Sequence, residues 1–180
     1  MTPDWLPPLL ELNEPGSAWD GQWERYLEVV YQAFQATLAK PIRSGALQWR
    51  GLRLGLKKYP VDQDKEATFW HMVSEGGNEA ERTPDLARCA RIRWPGAILA
   101  QGERKEFLIW TKEVKNDLRI QIYFPEERYL LVLALRQGQD GKAYLLPWTA
   151  YPVAQEHSHR KLLAAYESWK KQGSPLPGTP

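Results

Sequence analysis

The sequence predicts an α+β fold: N-terminal helices packed on a four-stranded antiparallel sheet, with a C-terminal helix. Three observations lead there. Apolar residues recur at spacings of three and four between residues 19 and 38. Four short apolar segments between residues 105 and 149 are separated by turn-forming stretches. A second amphipathic pattern then runs over residues 157–171.

At 180 residues the chain fits one domain with a substantial core. A content of 43% apolar and 26% charged residues places it among globular chains and away from disorder. The 24 basic and 22 acidic side chains nearly cancel, so nucleic-acid binding would need a local patch and no overall field supplies it. The single cysteine, Cys89, excludes an internal disulfide and a multi-cysteine zinc site, and points to a reducing, cytoplasmic setting. The acidic, proline-broken start and the lack of a long apolar run give an expectation of no export and no membrane span. Nine tryptophans suit either a core or a stacking surface.

The elements follow in order. Residues 1–16, with prolines at 3, 7, 8 and 15, are expected to form an extended arm. Ser17 and Asp20 read as a capping box, followed by a helix carrying Trp19, Trp23, Tyr26, Leu27, Val30, Phe34 and Leu38 and ending before Pro41. Leu52, Leu54 and Leu56 alternate with Arg53 and Gly55 as a strand does. ATFWHMV is ambiguous between strand and helix. Thr83, Pro84 and Asp85 read as an N-cap, a first-turn proline and a favourable acid, so a helix is expected from Pro84. Trp94 and Pro95 break it, and a second helical piece reaches about Gln101. KEFLIWT, LRIQIYF, YLLVLALR and KAYLLPWT then form an antiparallel meander, the third strand at its centre. In LRIQIYF, Ile120, Ile122 and Phe124 face the core, and Arg119, Gln121 and Tyr123 face the other side, which is expected to be open. HSHRKLLAAYESWKK is the last helix, within a single domain spanning 17–171. Residues 172–180 are expected to be a flexible tail.

The chemistry-bearing residues cluster in two places. In ERTPDLARCARIRW, Arg88 and Arg91 share a helix face opposite Leu86, Cys89 and Ala90. Arg93 falls on the apolar arc and needs a buried partner, a phosphate or an acid such as Glu75 or Glu81. Asp85 before Arg88 makes a pairing worth only about 0.2–0.5 kcal/mol. His71, in FWHM, is either a proton carrier or a hydrogen-bonded core residue. His157 and His159 would need help to hold a metal. Pro84-Asp85 with Glu103-Arg104-Lys105 or Glu113-Val114-Lys115 imitates a Mg²⁺-dependent PD and ExK pattern, but helix capping already explains the first half. No Gly-rich phosphate loop, GxSxG elbow or HExxH motif occurs.

Taken together, FWHMVSEGG, ERTPDLARCARIRW, YLLVLALR and WTAYP followed by HSHRKLLAAYE resemble a group of small prokaryotic proteins of mobile and toxin–antitoxin loci. The resemblance covers about residues 17–170. More distantly, the layout is similar to the barnase, EndoU, colicin and RelE-like ribonucleases. What this implies is metal-independent, cofactor-free RNA cleavage through the 2′-hydroxyl. His71 would be the acid or base, Arg119 and Arg91 the phosphate stabilisers, and Thr149 and Tyr151 the hydrogen-bond donors. Arg88, Arg93, Arg160 and Lys161 would extend a basic rim, with Tyr123 stacking a base. RNA and a cognate antitoxin or acidic protein are the implied partners. The alternative is a non-catalytic interaction module with a buried, structural His71.

Overall fold

A computed structural model describes residues 2–78 and 81–179 and is α+β. Helix α1 (Trp23–Phe34) buries Tyr26, Leu27, Val30 and Phe34, the stripe that its spacing predicts. It starts later than expected. Asp20 and Gly21 take left-handed φ values of 39° and 75°, so the Ser17–Asp20 contact of 3.4 Å closes a loop, and no side chain caps the helix. Nor does it stop before Pro41. A π-helical turn (Gln35–Ala39) carries it into α2 (Lys40–Arg43), with the Lys40 N–H reaching five residues back to the Gln35 carbonyl. Proline has no N–H to give the Thr37 carbonyl, and the wider turn absorbs that loss.

Strands β1 (Gln48–Trp49) and β2 (Leu52–Arg53) form a hairpin through Arg50 and Gly51, both left-handed as a tight primed turn requires. ATFWHMV resolves as helix α3 (Ala67–Val73), in which every residue is buried. An all-round apolar helix has no amphipathic period, which is why its sequence was ambiguous. β3 (Ser74–Glu75) pairs with β4 (Thr83–Pro84), so Thr83 and Pro84 belong to a bridge. Asp85 is therefore the true cap of α4 (Leu86–Ala90), accepting from the Arg88 N–H at 2.8 Å. α5 (Trp94–Ala100) follows with Pro95 in its first turn, as its sequence predicts.

The meander is β5 (Leu108–Val114), β6 (Asp117–Phe124), β7 (Tyr129–Gln137) and β8 (Ala143–Pro152), paired antiparallel in that order. β7 is interior, and Tyr129 to Ala134 are all buried. Four strands is not the full extent. A parallel bridge between Leu54 and Leu145, with the Gly55 N–H on the Leu145 carbonyl at 2.8 Å, joins the β1–β2 hairpin to the β8 edge. The main sheet thus counts six strands, the four of the meander plus the two of the hairpin.

The expected open face is not open. α6 (Glu156–Gln172) lies across it, packing Leu162, Leu163, Tyr166 and Trp169 against Trp110, Tyr123, Leu130 and Val132. The sheet therefore has a core on each side, the larger one built by α1, the π turn, α3, α5 and the inner face of β6 to β8. Both chain ends are also seated. Leu6 is buried, Trp5 stacks on Phe124, and the Leu10 N–H bonds to the Ala90 carbonyl. Where a flexible tail was expected, Arg50 Nε donates to the Pro177 carbonyl at 2.8 Å and the Thr179 N–H to the Arg50 carbonyl at 2.8 Å. Among the described residues, no helix is long and apolar enough to cross a membrane.

Candidate functional site

The local chain path assembles one groove. The Asp85 N–H bonds back to the Val73 carbonyl at 2.8 Å, which sets α4 against the end of α3. From α4, Arg88 Nη1 donates to the Ser74 carbonyl at 2.7 Å and to Thr149 Oγ1 at 3.3 Å, and its guanidinium lies 5.0 Å from the centre of the Tyr151 ring. Strand β8 delivers Thr149 and Tyr151 through a bulge. Val132 faces Thr149 and Leu133 faces Pro147, so Trp148 is the extra residue, and Pro147 sits where a missing N–H disrupts least. The resulting groove of about 790 Å³ is walled by Ser74 to Gly77, Arg82, Asp85, Arg88, Trp148, Thr149 and residues 151–155.

Its electrostatics are mixed. Burial pushes the Tyr151 phenol above its ordinary value, with Arg88 pulling the other way, so Tyr151 stays a neutral donor. Ser74 is fully buried behind the groove wall, and its hydroxyl has no hydrogen-bond partner among the described residues. A buried unpaired hydroxyl costs about 1–3 kcal/mol unless something bonds it.

His71 lies on the other side of Trp148. It is 3% exposed, its Nδ1 is 3.3 Å from the Trp148 carbonyl, and its ring meets the indole edge-on with centroids 5.1 Å apart. It lines a neighbouring cavity of about 510 Å³ together with Trp70, Asn78 and Arg82. His71 is thus buried and in contact with the backbone of β8.

The other expected site residues are dispersed. Arg119 is held by Asp117, Nε to Oδ2 at 2.7 Å, and its guanidinium stacks 4.0 Å from the Trp148 ring centre. Arg136 shares the same aspartate. Burial opposes the charge on Asp117, yet hydrogen bonds from Arg136 and Arg119 hold its carboxyl below the ordinary value. Arg91 does not accompany Arg88. It donates to the Ala87 carbonyl at 3.0 Å, lies over Trp94 and lines a separate cleft against the arm. Where Glu75 or Glu81 was an expected partner, Arg93 donates to the Pro8 carbonyl at 2.5 Å, beside Trp94 Nε1 bonded to the Pro7 carbonyl. Tyr123 cannot stack a base, because it is fully buried under α6 with its hydroxyl 2.6 Å from His159 Nδ1. Arg160 and Lys161 project from α6 and do not line the groove.

Sequence reasoning missed Ser74, Arg82 and Trp148. Only Trp148 carried a signal, since Pro147-Trp148 inside a strand pattern marks a bulge. Asp85, half of the nuclease-like pattern, is taken up by capping, and Glu103 pairs with Arg50 at 2.6 Å. Among the described residues, no group of three or more His, Cys, Asp and Glu side chains is arranged to hold a metal ion. Cys89 is fully buried, and burial pushes its thiol up to about 12, so it is an unreactive core residue. Compared with protein-family models, with curated proteins and with solved structures, the chain matches none.

Proposed function

We propose that the groove binds the phosphodiester backbone of RNA, and that the chain is a metal-independent, endoribonuclease-like protein. The observation that carries this reading is Arg88. Its guanidinium is held by the Ser74 carbonyl, the Thr149 hydroxyl and the Tyr151 ring, and the same side chain lines the groove, so a cation is in place there before any ligand arrives. Thr149 and Tyr151 add neutral hydroxyl-bearing side chains around the same space. Gly76, at φ 136°, lets the chain turn where a phosphate approaches the backbone. Arg88 thus takes the part expected of Arg91 and Arg119, whose guanidinium groups are engaged elsewhere.

Cleavage through the 2′-hydroxyl would place proton transfer on His71. Its Nδ1 faces the Trp148 carbonyl, which orients the ring. A second reading is favoured by the 3% exposure of that histidine: the groove binds RNA without cutting it, and His71 holds the bulge in place. One experiment separates them. Purified protein is incubated with total RNA in EDTA, and products are assayed for 2′,3′-cyclic phosphate ends. The cleavage reading expects such ends, lost in His71→Gln and in Arg88→Ala variants that keep the wild-type melting temperature. RNA binding with no cleavage supports the second reading. Cleavage only with added Mg²⁺, or no Arg88-dependent binding at all, refutes both.

A further inference from the structure

The cavity beside the groove is more apolar than the groove itself, and an aromatic side chain stands in its wall. Its volume of about 510 Å³ lies within the usual range of small-molecule sites. Pro60, Trp70 and Pro84 give it apolar walls, and His71, Asn78 and Arg82 bring polar edges to the same space. Planar bases are recognised in this way, by contact with their faces and by hydrogen bonds to their rims.

The cavity is built in advance of any ligand. Trp70 Nε1 donates to the Asp62 carbonyl at 3.0 Å, which locks the indole to the lip. The lip is itself closed by reciprocal backbone bonds, Asp62 N–H to the Lys65 carbonyl at 3.1 Å and Lys65 N–H to the Asp62 carbonyl at 2.9 Å. Thr68 pins the preceding chain, accepting from the Lys57 N–H at 2.7 Å. A preformed wall spends less binding free energy on ordering. Arg82 lines this cavity and the groove alike, so the two spaces adjoin at one guanidinium.

We propose that the Trp70–Asn78 cavity is the nucleobase pocket of the site whose groove takes the phosphate. The ligand class is a single-stranded nucleotide, its base beside Trp70 and its phosphate on Arg88, with Arg82 between them. This inference rests on the groove being a phosphate site. It makes the cavity a determinant of base preference, because a base in a duplex cannot enter it.

The test is calorimetric titration of the full chain with each of the four 3′-mononucleotides and with inorganic phosphate. At least one nucleotide is expected to bind on the order of tenfold more tightly than phosphate, the contribution of one stacked base. Asn78→Trp, on an exposed loop, would fill the cavity. That variant should erase the nucleotide advantage and leave phosphate affinity unchanged, at a wild-type melting temperature. Arg88→Ala should weaken phosphate and nucleotide together. Arg88-dependent phosphate binding without any nucleotide advantage overturns the base pocket and leaves the groove reading standing. An advantage that survives Asn78→Trp also overturns it. Wild-type protein that binds neither phosphate nor any nucleotide overturns the groove reading as well.

Discussion

Gly96→Ala should destabilise the protein even though it places a better helix former inside α5. The reason lies one helix away. Pro41 cannot bond the Thr37 carbonyl, and α5 packs against that carbonyl at Gly96. A Cβ at Gly96 would sit 2.0 Å from the Thr37 oxygen and 2.9 Å from its carbon, where real Cβ contacts essentially never fall below 3.0 Å. The two segments must therefore separate by about 1 Å. They are packed through Leu38, Ile98 and Leu99, all at most 2% exposed, so nothing nearby yields without opening the core. Intrinsic helix propensity favours alanine by about 1 kcal/mol. Forcing an extra methyl into a packed core costs about 1–3 kcal/mol, and backbone against backbone belongs at the upper end. The clash wins, with a net loss of about 1–2 kcal/mol. In a domain of this size that lowers the melting temperature by roughly 2–8 °C. Urea unfolding should show a lower midpoint with an unchanged slope. Ala97→Gly, the next position on the same helix, should also lose about 1 kcal/mol from propensity alone. If propensity governed both sites the two changes would have opposite signs, so a Gly96→Ala variant as stable as wild type refutes the packing argument.

Glu66 gives a pH prediction. Burial disfavours its charge, but its own backbone N–H, the Tyr31 hydroxyl at 2.7 Å, the Gln35 amide at 3.0 Å and Arg43 at 2.6 Å together hold its carboxyl below the ordinary 4.5. A lowered folded-state value means the stabilisation is complete above that ordinary value and is lost as pH falls through the folded one. Wild type should therefore lose stability below about pH 4.5, and Glu66→Gln should show a shallower acid slope and a deficit of about 1–3 kcal/mol at pH 7. Equal acid slopes in urea titrations would contradict this. If the groove binds RNA as proposed, Arg88→Lys should not fully restore the affinity lost in Arg88→Ala, because an ammonium cannot keep the Ser74 carbonyl, Thr149 and the groove in one fork; the measured salt slope should fall by about 1 in Arg88→Ala. Arg50→Ala removes the bond to the Pro177 carbonyl and the Glu103 pair, so amide exchange over 176–179 should accelerate. Unchanged protection there would mean that Leu176 packing and the Thr179 N–H bond to the Arg50 backbone carbonyl, both kept in the variant, seat the tail.

The meander was legible because each of its signals is local. Lys115 and Asn116, at φ 50° and 62°, form a primed turn between β5 and β6, and the alternation in β6 correctly separates Ile120, Ile122 and Phe124 from Gln121 and Tyr123. The mistake came one step later, when a polar face was equated with an open one. Period two says which residues share a side of a sheet, but not what covers that side; α6 does, and Gln121 and Tyr123 are 6% and 0% exposed. Arg93 shows the same limit. Its discomfort on the apolar arc was readable from the sequence, but the answering group is a backbone carbonyl 85 residues away, in an arm with no regular structure of its own. α3 was undecided because burial on all sides erases the very period that distinguishes helix from strand.

The run of arginines from 82 to 93 suggested that a basic helix makes the site, whereas the bulge at Trp148 is the element that builds it. Beyond the bulge, Thr149 and Tyr151 stand on the side of Arg88, and Ala150 fills the larger core at 1% exposure. With strict pairing, the register would slip by one residue and every side chain after Pro147 would change face. Ala150 would then line the groove, and the Thr149 and Tyr151 hydroxyls would be driven among Leu131, Phe124 and Ile122. Each unpaired hydroxyl there would cost about 1–3 kcal/mol. The same extra residue turns the Trp148 carbonyl to His71 and lays its ring under Arg119 and Arg136. One inserted residue therefore fixes the histidine, takes two guanidinium groups out of contention for a ligand and leaves Arg88 facing the groove, so the selectivity of the site among its arginines is set by the sheet.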